Sequence, residues 1–456
     1  MRSLVEWLAR LILKIFFRRI EIIGRDNVPV DGPIILAINH PNGLIDPLCV
    51  LAHAPRKLSF LAKEPLFRMP LIKYLVKAFD CLPVYRKQDG NQDGANQQQN
   101  LSTLQAAGDL LTRGGAIALF PEGISHDLPQ LQSLKTGAAR IALGAQSLMA
   151  SDDQNQPAVH LIPAGLYYSS KGIFRSDVTL VYGAPLPVPV VSLDDTASPP
   201  PEAVNTLTQH LFHHLQALTV NAQDSELISL AAIAARLIDT KTATFTKKPN
   251  SNIAQRRLQL MQQILNGHEQ LQTTNPEQAI QLVQRLRRYD ALTRHYGLPP
   301  KETVRPDTGP AIKHSVMSTV MLILLSPLIV PGVLENYLTY RLVGRMARSY
   351  TEVTHDTLST LKVIAGMIAF PLTWIIWSLL IGWFTTLSLA FLHLALAPIC
   401  AWAALLFMDR SAATLSGARV LWMYWTQPNR YAQLNREGHE IAEQLMSIEL
   451  DPKASE

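Results

Sequence analysis

The sequence is short of charge. Of its 456 residues, 17% are Asp, Glu, Lys or Arg, against about 25% in an ordinary soluble domain. Hydrophobic residues make up 48%, and low charge with high hydrophobicity argues against a chain disordered throughout. Cysteine is scarce. Cys49, Cys81 and Cys400 lie far apart, with no CxxC or Cys/His spacing. That leaves no pattern for a disulfide framework or a structural zinc site, and it fits a reducing compartment. The net charge of +5 is small and gathered in no single run, and no basic patch is interleaved with aromatics. Nucleic acid is therefore not an expected partner. Walker loops, dinucleotide glycine fingerprints, a Gly-x-Ser-x-Gly elbow and internal repeats are also missing.

What is present is organised along the chain. Ser3–Phe17 reads as an amphipathic helix with Glu6, Arg10 and Lys14 on one face. Residues 1–19 are thus expected to rest on a membrane surface, an ordinary core-packed helix being the alternative. Residues 20–200 alternate apolar strand-like runs with helical stretches at 101–113 and 132–149. The strand-like runs are Ile34–Ile38, Leu58–Ala62, Leu82–Tyr85, Ala116–Phe120, His160–Gly165 and Val178–Tyr182. That alternation predicts an α/β domain, a sheet flanked by helices. Gln88–Asn100 is expected to be a polar loop. The proline-rich stretch from Leu186 to Pro201 marks a domain edge. Residues 201–310 read as an all-helical module. In it His210, His213 and His214 suit a solvated helix face better than a metal pair.

A membrane region is expected over residues 311–410. Ser315–Leu334 carries no charge but contains Pro327, Pro331 and Gly332. It fits a re-entrant or interfacial segment, a full span or a core helix. Val363–Met408 runs 46 residues without a charge, enough for two spans of about 20 residues each, or for a re-entrant hairpin. Trp374, Trp377, Trp383 and Trp402 suit its interfaces. A helical cytoplasmic tail is expected over 411–456.

The chemistry gathers where strands end. Asn39-His40-Pro41-Asn42-Gly43-Leu44-Ile45-Asp46-Pro47 follows a buried strand, and its turn-forming residues can fold Asp46 back onto the imidazole. A carboxylate on one ring nitrogen fixes the tautomer and makes the other a better base. Cys81–Arg86 ends another strand with an arginine. Phe120-Pro121-Glu122-Gly123-Ile124-Ser125-His126 ends a third with a carboxylate and a glycine. Lys135 and Arg140 follow on an expected helix, and His160–Gly165 ends a fourth strand.

These four strings, in this order, resemble the motif blocks of the glycerolipid acyltransferase family. The branch most resembled is the fungal-type glycerol-3-phosphate or dihydroxyacetone-phosphate acyltransferases, through the His40–Asp46 spacing, Phe120–Leu143 and Phe174-Arg175-Ser176. Five residues separate His40 from Asp46 where the common motif has four; Asn42-Gly43 can absorb the extra one. The resemblance is strong over residues 30–186 and loose beyond 200.

The resemblance implies an acyltransferase-type sheet and transfer from an acyl thioester, CoA or carrier protein, to the hydroxyl of glycerol 3-phosphate. His40 would be the general base and Asp46 its orienting partner. Arg86 would bind the acceptor phosphate, with Lys135 in support. Glu122 and Gly123 would shape the acceptor site, Glu122 on a glycerol hydroxyl or a cation. No cofactor and no resident metal are implied. The partners would be the acyl thioester, the phosphorylated acceptor and membrane lipids, with the catalytic domain on the cytoplasmic face. A lysophospholipid (1-acyl-glycerol-3-phosphate) acyltransferase and a non-catalytic lipid-binding protein are the alternatives.

Overall fold

A computed structural model describes residues 2–69, 72–85, 93–152, 157–243, 253–298, 317–350 and 357–449. The chain divides into two compact units. One is Met1–Val220 with Thr354–Thr360; the other is Asn221–Val353 with Leu361–Glu456.

In the first unit, helix α1 (Arg2–Phe16) leads into strand β1 (Arg19–Ile23), and β2 (Ile34–Ile38) into α2 (Ile45–His53). β3 (Ser59–Lys63), α3 (Ile72–Ala78), β4 (Leu82–Val84), α4 (Asp93–Thr112), β5 (Ala116–Leu119) and α5 (Gly137–Asp152) follow. β6 (His160–Tyr168), β7 (Asp177–Tyr182), the short β8 (Leu186–Pro187) and α6 (Pro201–Leu218) complete the unit. The sheet order is β1-β7-β6-β2-β5-β3-β4, with β8 on β6. β6, β2, β5, β3 and β4 run parallel, whereas β7 and β8 are antiparallel to β6. β2 sits near the centre, and every residue of Ile34–Ile38 is buried. A continuous apolar run is what a strand covered on both faces requires.

Several boundaries differ from the sequence reading. β1 went unseen: Arg-Ile-Glu-Ile-Ile is short and follows a helix directly, and its strand character comes from pairing with β7. α4 begins at Asp93, so most of the expected polar loop is helical; Gln and Ala are good helix formers even without an apolar face. α5 begins at Gly137, so Lys135 stands in the preceding loop, not on a helix. β6 continues past Gly165 to Tyr168. The first unit also reaches beyond residue 200, because α6 buries Val204, Leu207, Leu211 and Leu215 in the core shared with α5 and β6. Gly165 is needed there, since a Cβ would fall 2.4 Å from the Leu218 carbonyl oxygen.

α1 has two apolar aspects. Ala9, Leu13 and Phe16 are buried, and Arg10 Nε donates to Ala52 O of α2 at 2.8 Å. Leu4 and Trp7 remain 66% and 56% exposed. The guanidinium of Arg175 caps the helix end through the carbonyls of Lys14, Ile15 and Phe17.

The second unit is helical in its described residues. α7 (Ser225–Ala243), α8 (Ile253–Thr274) and α9 (Pro276–His295) pack with the C-terminal helix α14 (Pro428–Glu449), where Arg285 meets Glu440 at 2.5 Å. Three helices of the expected module thus close their core with the chain's far end. α10 (Met317–Leu324) and α11 (Ser326–Tyr350) meet at a 73° bend, beside Pro327. α12 (Leu358–Phe384) and α13 (Leu387–Thr426) are separated by Thr385 and Thr386. By length and composition, Leu358–Phe384 and Leu387–Ser411 can each cross a membrane. α13 continues unbroken through residue 410, with Pro398 inside it. Gly332 lets α11 approach α13 closely, because a Cβ there would clash with the Cys400 carbonyl.

Candidate active site

β2, β5, β3 and β4 are parallel, so their C-terminal ends open on one edge of the sheet, where ligands of open α/β sheets commonly bind. His40 follows β2 on that edge. Asn39 sets its position by acting as a side-chain rung between β2 and β6. Its Nδ2 donates to Leu166 O at 3.1 Å, and its Oδ1 accepts from Leu166 N–H at 2.7 Å.

His40 Nδ1 lies 2.8 Å from Asp46 Oδ2. The imidazole stacks on Phe120, centroids 4.0 Å apart. Asp46 stands in the first turn of α2 and is fully buried. Anions are favoured there by the helix dipole. Oδ2 also accepts the Asn42 N–H at 2.6 Å, and Oδ1 accepts the Tyr168 hydroxyl at 2.6 Å. The five-residue spacing is absorbed by a turn in which Gly43 takes a positive φ of 32°. The N–H of Leu44 in this turn donates to Thr360 Oγ1 at 3.2 Å.

Glu122 is held by partners within the protein. Its side chain is fully buried. Oε1 accepts the His40 backbone N–H at 2.8 Å. Oε2 accepts from His126 Nε2 at 2.5 Å and from Gln132 N–H at 2.8 Å. His126 N–H also donates to His40 O at 3.2 Å. The carboxylate is therefore a staple between two loops, with both oxygens engaged by protein donors. Gly123 follows with φ 75°, and Lys135 Cγ packs 3.4 Å from where its Cβ would be. The Lys135 side chain is exposed. Arg86 lies outside the described residues. In α6, His214 Nδ1 donates to the His210 carbonyl, and among the described residues no His, Cys, Asp and Glu cluster could hold a metal ion.

Sequence reasoning missed Tyr168, the bridging role of Asn39 and the place of Thr360. Burial and the adjacent Asp46 raise the Tyr168 pKa well above the ordinary phenol value, so the hydroxyl stays a donor. Burial likewise pushes the Cys49 thiol up, beside Tyr168.

A buried carboxylate orienting a histidine on this sheet edge is an arrangement for activating a hydroxyl. Residues 4–166 match the family model described as Acyltransferase. The first unit thus carries an acyltransferase domain, and the protein is an O-acyltransferase. It is 22% identical to glycerol-3-phosphate O-acyltransferase 1 of Saccharomyces cerevisiae, over 98% of this chain and 70% of that one. It is 36% identical to glycerol-3-phosphate O-acyltransferase 2 of the same yeast, over 31% of this chain and 19% of that one. Among solved structures, the 1-acyl-sn-glycerophosphate (LPA) acyltransferase PlsC from Thermotoga maritima superposes with a TM-score of 0.35. The identity is 17%, over 48% of this chain and 78% of that chain.

Proposed function

We propose that the protein transfers a fatty acyl group from an acyl thioester to a hydroxyl of glycerol 3-phosphate, forming lysophosphatidate. The observation that carries this reading is the 2.8 Å contact between His40 Nδ1 and the buried Asp46. The likeness to the two yeast enzymes suggests the acceptor. With Nδ1 engaged, Nε2 takes the hydroxyl proton as the oxygen attacks the thioester carbon. The carbon–sulfur bond then breaks, and the imidazolium returns a proton to the thiolate. His40 acts as base and then acid, so no acyl-enzyme is required. The test is purified protein with radiolabelled glycerol 3-phosphate and acyl-CoA or acyl-carrier protein. Labelled lysophosphatidate is expected; acylation of lysophosphatidate alone would replace this reading with the lysophospholipid one.

In this scheme Arg86 binds the acceptor phosphate, and the exposed Lys135 supports it. Arg86→Ala should raise the KM for glycerol 3-phosphate about ten- to a hundredfold, the worth of a charge-assisted hydrogen bond. The KM for the acyl donor should stay nearly constant. Equal effects on both substrates would remove Arg86 from the phosphate site.

α12 and the apolar part of α13 support a membrane hairpin. At 1.5 Å per residue, 27 and 25 residues reach about 40 Å and 37 Å, against a hydrocarbon core of about 30 Å. Arg341, Arg345, Arg348 and Lys362 precede the charge-free run Val363–Met408, and Arg410 and Arg419 follow that run. Positive flanks on both sides favour a hairpin with both ends in the cytoplasm. Single cysteines near residues 355 and 415, on a cysteine-free background in sealed vesicles, should both label only from the cytoplasmic side. Labelling from opposite sides would mean a single crossing.

A further inference from the structure

We propose that Tyr168 is a positioning residue for the reaction, the third member of a His40–Asp46–Tyr168 relay. This rests on the acyl-transfer reading above and assigns a residue that lies outside all four motif blocks. Asp46 is fully buried. Its Oδ2 serves His40 at 2.8 Å and the Asn42 N–H at 2.6 Å. Among the described residues, the donor on Oδ1 is the Tyr168 hydroxyl, at 2.6 Å. Without it a buried carboxylate oxygen would be left unpaired.

Tyr168 is well placed to hold that geometry. It ends β6, pairs with Val178 on β7 and packs its ring 5.7 Å from that of Phe17. The residue is 6% exposed, so the hydroxyl has no competing access to water. Its neighbour Cys49 stays a neutral thiol through burial, so no second anion competes for the bond.

The consequence appears when His40 takes the substrate proton. The Nδ1–H···Oδ2 bond then joins a cation to an anion and strengthens. A donor on Oδ1 draws charge from the carboxylate and opposes transfer of the Nδ1 proton to it. It also prevents the carboxylate from turning away from the ring. Tyr168 touches no reacting atom, so its loss should fall on kcat and leave binding alone.

The test is Tyr168→Phe, which removes one oxygen and keeps the ring. We expect kcat to fall about ten- to a hundredfold, the worth of a hydrogen bond to a charged group. Both KM values should stay within about threefold. In an Asp46→Asn background the same change should alter residual kcat less than about twofold, since the pair acts as one unit. A Tyr168→Phe enzyme with unchanged kcat would overturn the relay. So would an equal loss in both backgrounds, or a fall in kcat accompanied by a rise of both KM values. If His40→Ala is inactive in each of these cases, the acyl-transfer reading stands and this inference alone falls.

Discussion

His40→Ala is expected to lower kcat by about 10²- to 10⁴-fold, the usual worth of a positioned general base, while the fold survives. The side chain is held by one hydrogen bond to Asp46 and by stacking on Phe120. The two links that fix the loop are made by its backbone, N–H to Glu122 and C=O from His126. Alanine keeps both. The binding of donor and acceptor should change little, because the substitution removes a proton acceptor and no charge-bearing anchor. The measurement is steady-state kinetics on purified protein with both substrates saturating, beside a thermal melt of each variant. Activity within a few-fold of wild type at an unchanged melting temperature would remove His40 from the chemistry. Asp46→Asn should fall in the same direction. An amide can still accept from Nδ1–H, but it stabilises the imidazolium far less than an anion does.

The parts of the fold that were legible in the sequence are those whose signal is local. Ile34–Ile38 reads as a buried strand because no polar residue interrupts it, and its neighbours in the sheet are marked the same way. The His40–Asp46 contact was legible because the turn between them is written in Pro41, Asn42 and Gly43. Contacts closed by long-range geometry carried no such signal. Tyr168 reaches Asp46 across 122 residues, and in the sequence it is one aromatic in an apolar strand. Lys135 was placed on a helix because the apolar periodicity of α5 starts before its hydrogen bonding does. Its N–H is in fact committed to Pro121 O at 2.7 Å. Glu122 is the clearest case. A carboxylate at a strand end looks like a substrate ligand. Only the path of the loop from Gly123 to Gln132 shows that its oxygens are already in use.

That path makes Glu122 a second position of large effect, of a different kind from His40. Both oxygens accept from three donors: the His40 N–H, His126 Nε2–H and the Gln132 N–H. Glu122→Ala leaves all three facing a buried void. Unpaired buried donors cost about 1–3 kcal/mol each, and breaking a buried charged network costs about 3–5 kcal/mol in all. For a unit of this size that corresponds to a fall in melting temperature of roughly 10 °C. Glu122→Gln is gentler and more telling. Its amide oxygen can serve one side of the staple, but its NH2 must then face a donor on the other. Stability and kcat should fall together in both variants, kcat by at least about tenfold in the glutamine form, because the backbone of His40 loses its anchor. The acceptor KM should move little, since both oxygens are already engaged by protein donors. Kinetics and melting curves on the same preparations separate the alternatives. A selective rise in the glycerol 3-phosphate KM with stability unchanged would mean that Glu122 meets the substrate after all. A joint loss of kcat and stability is the result the stapled geometry requires.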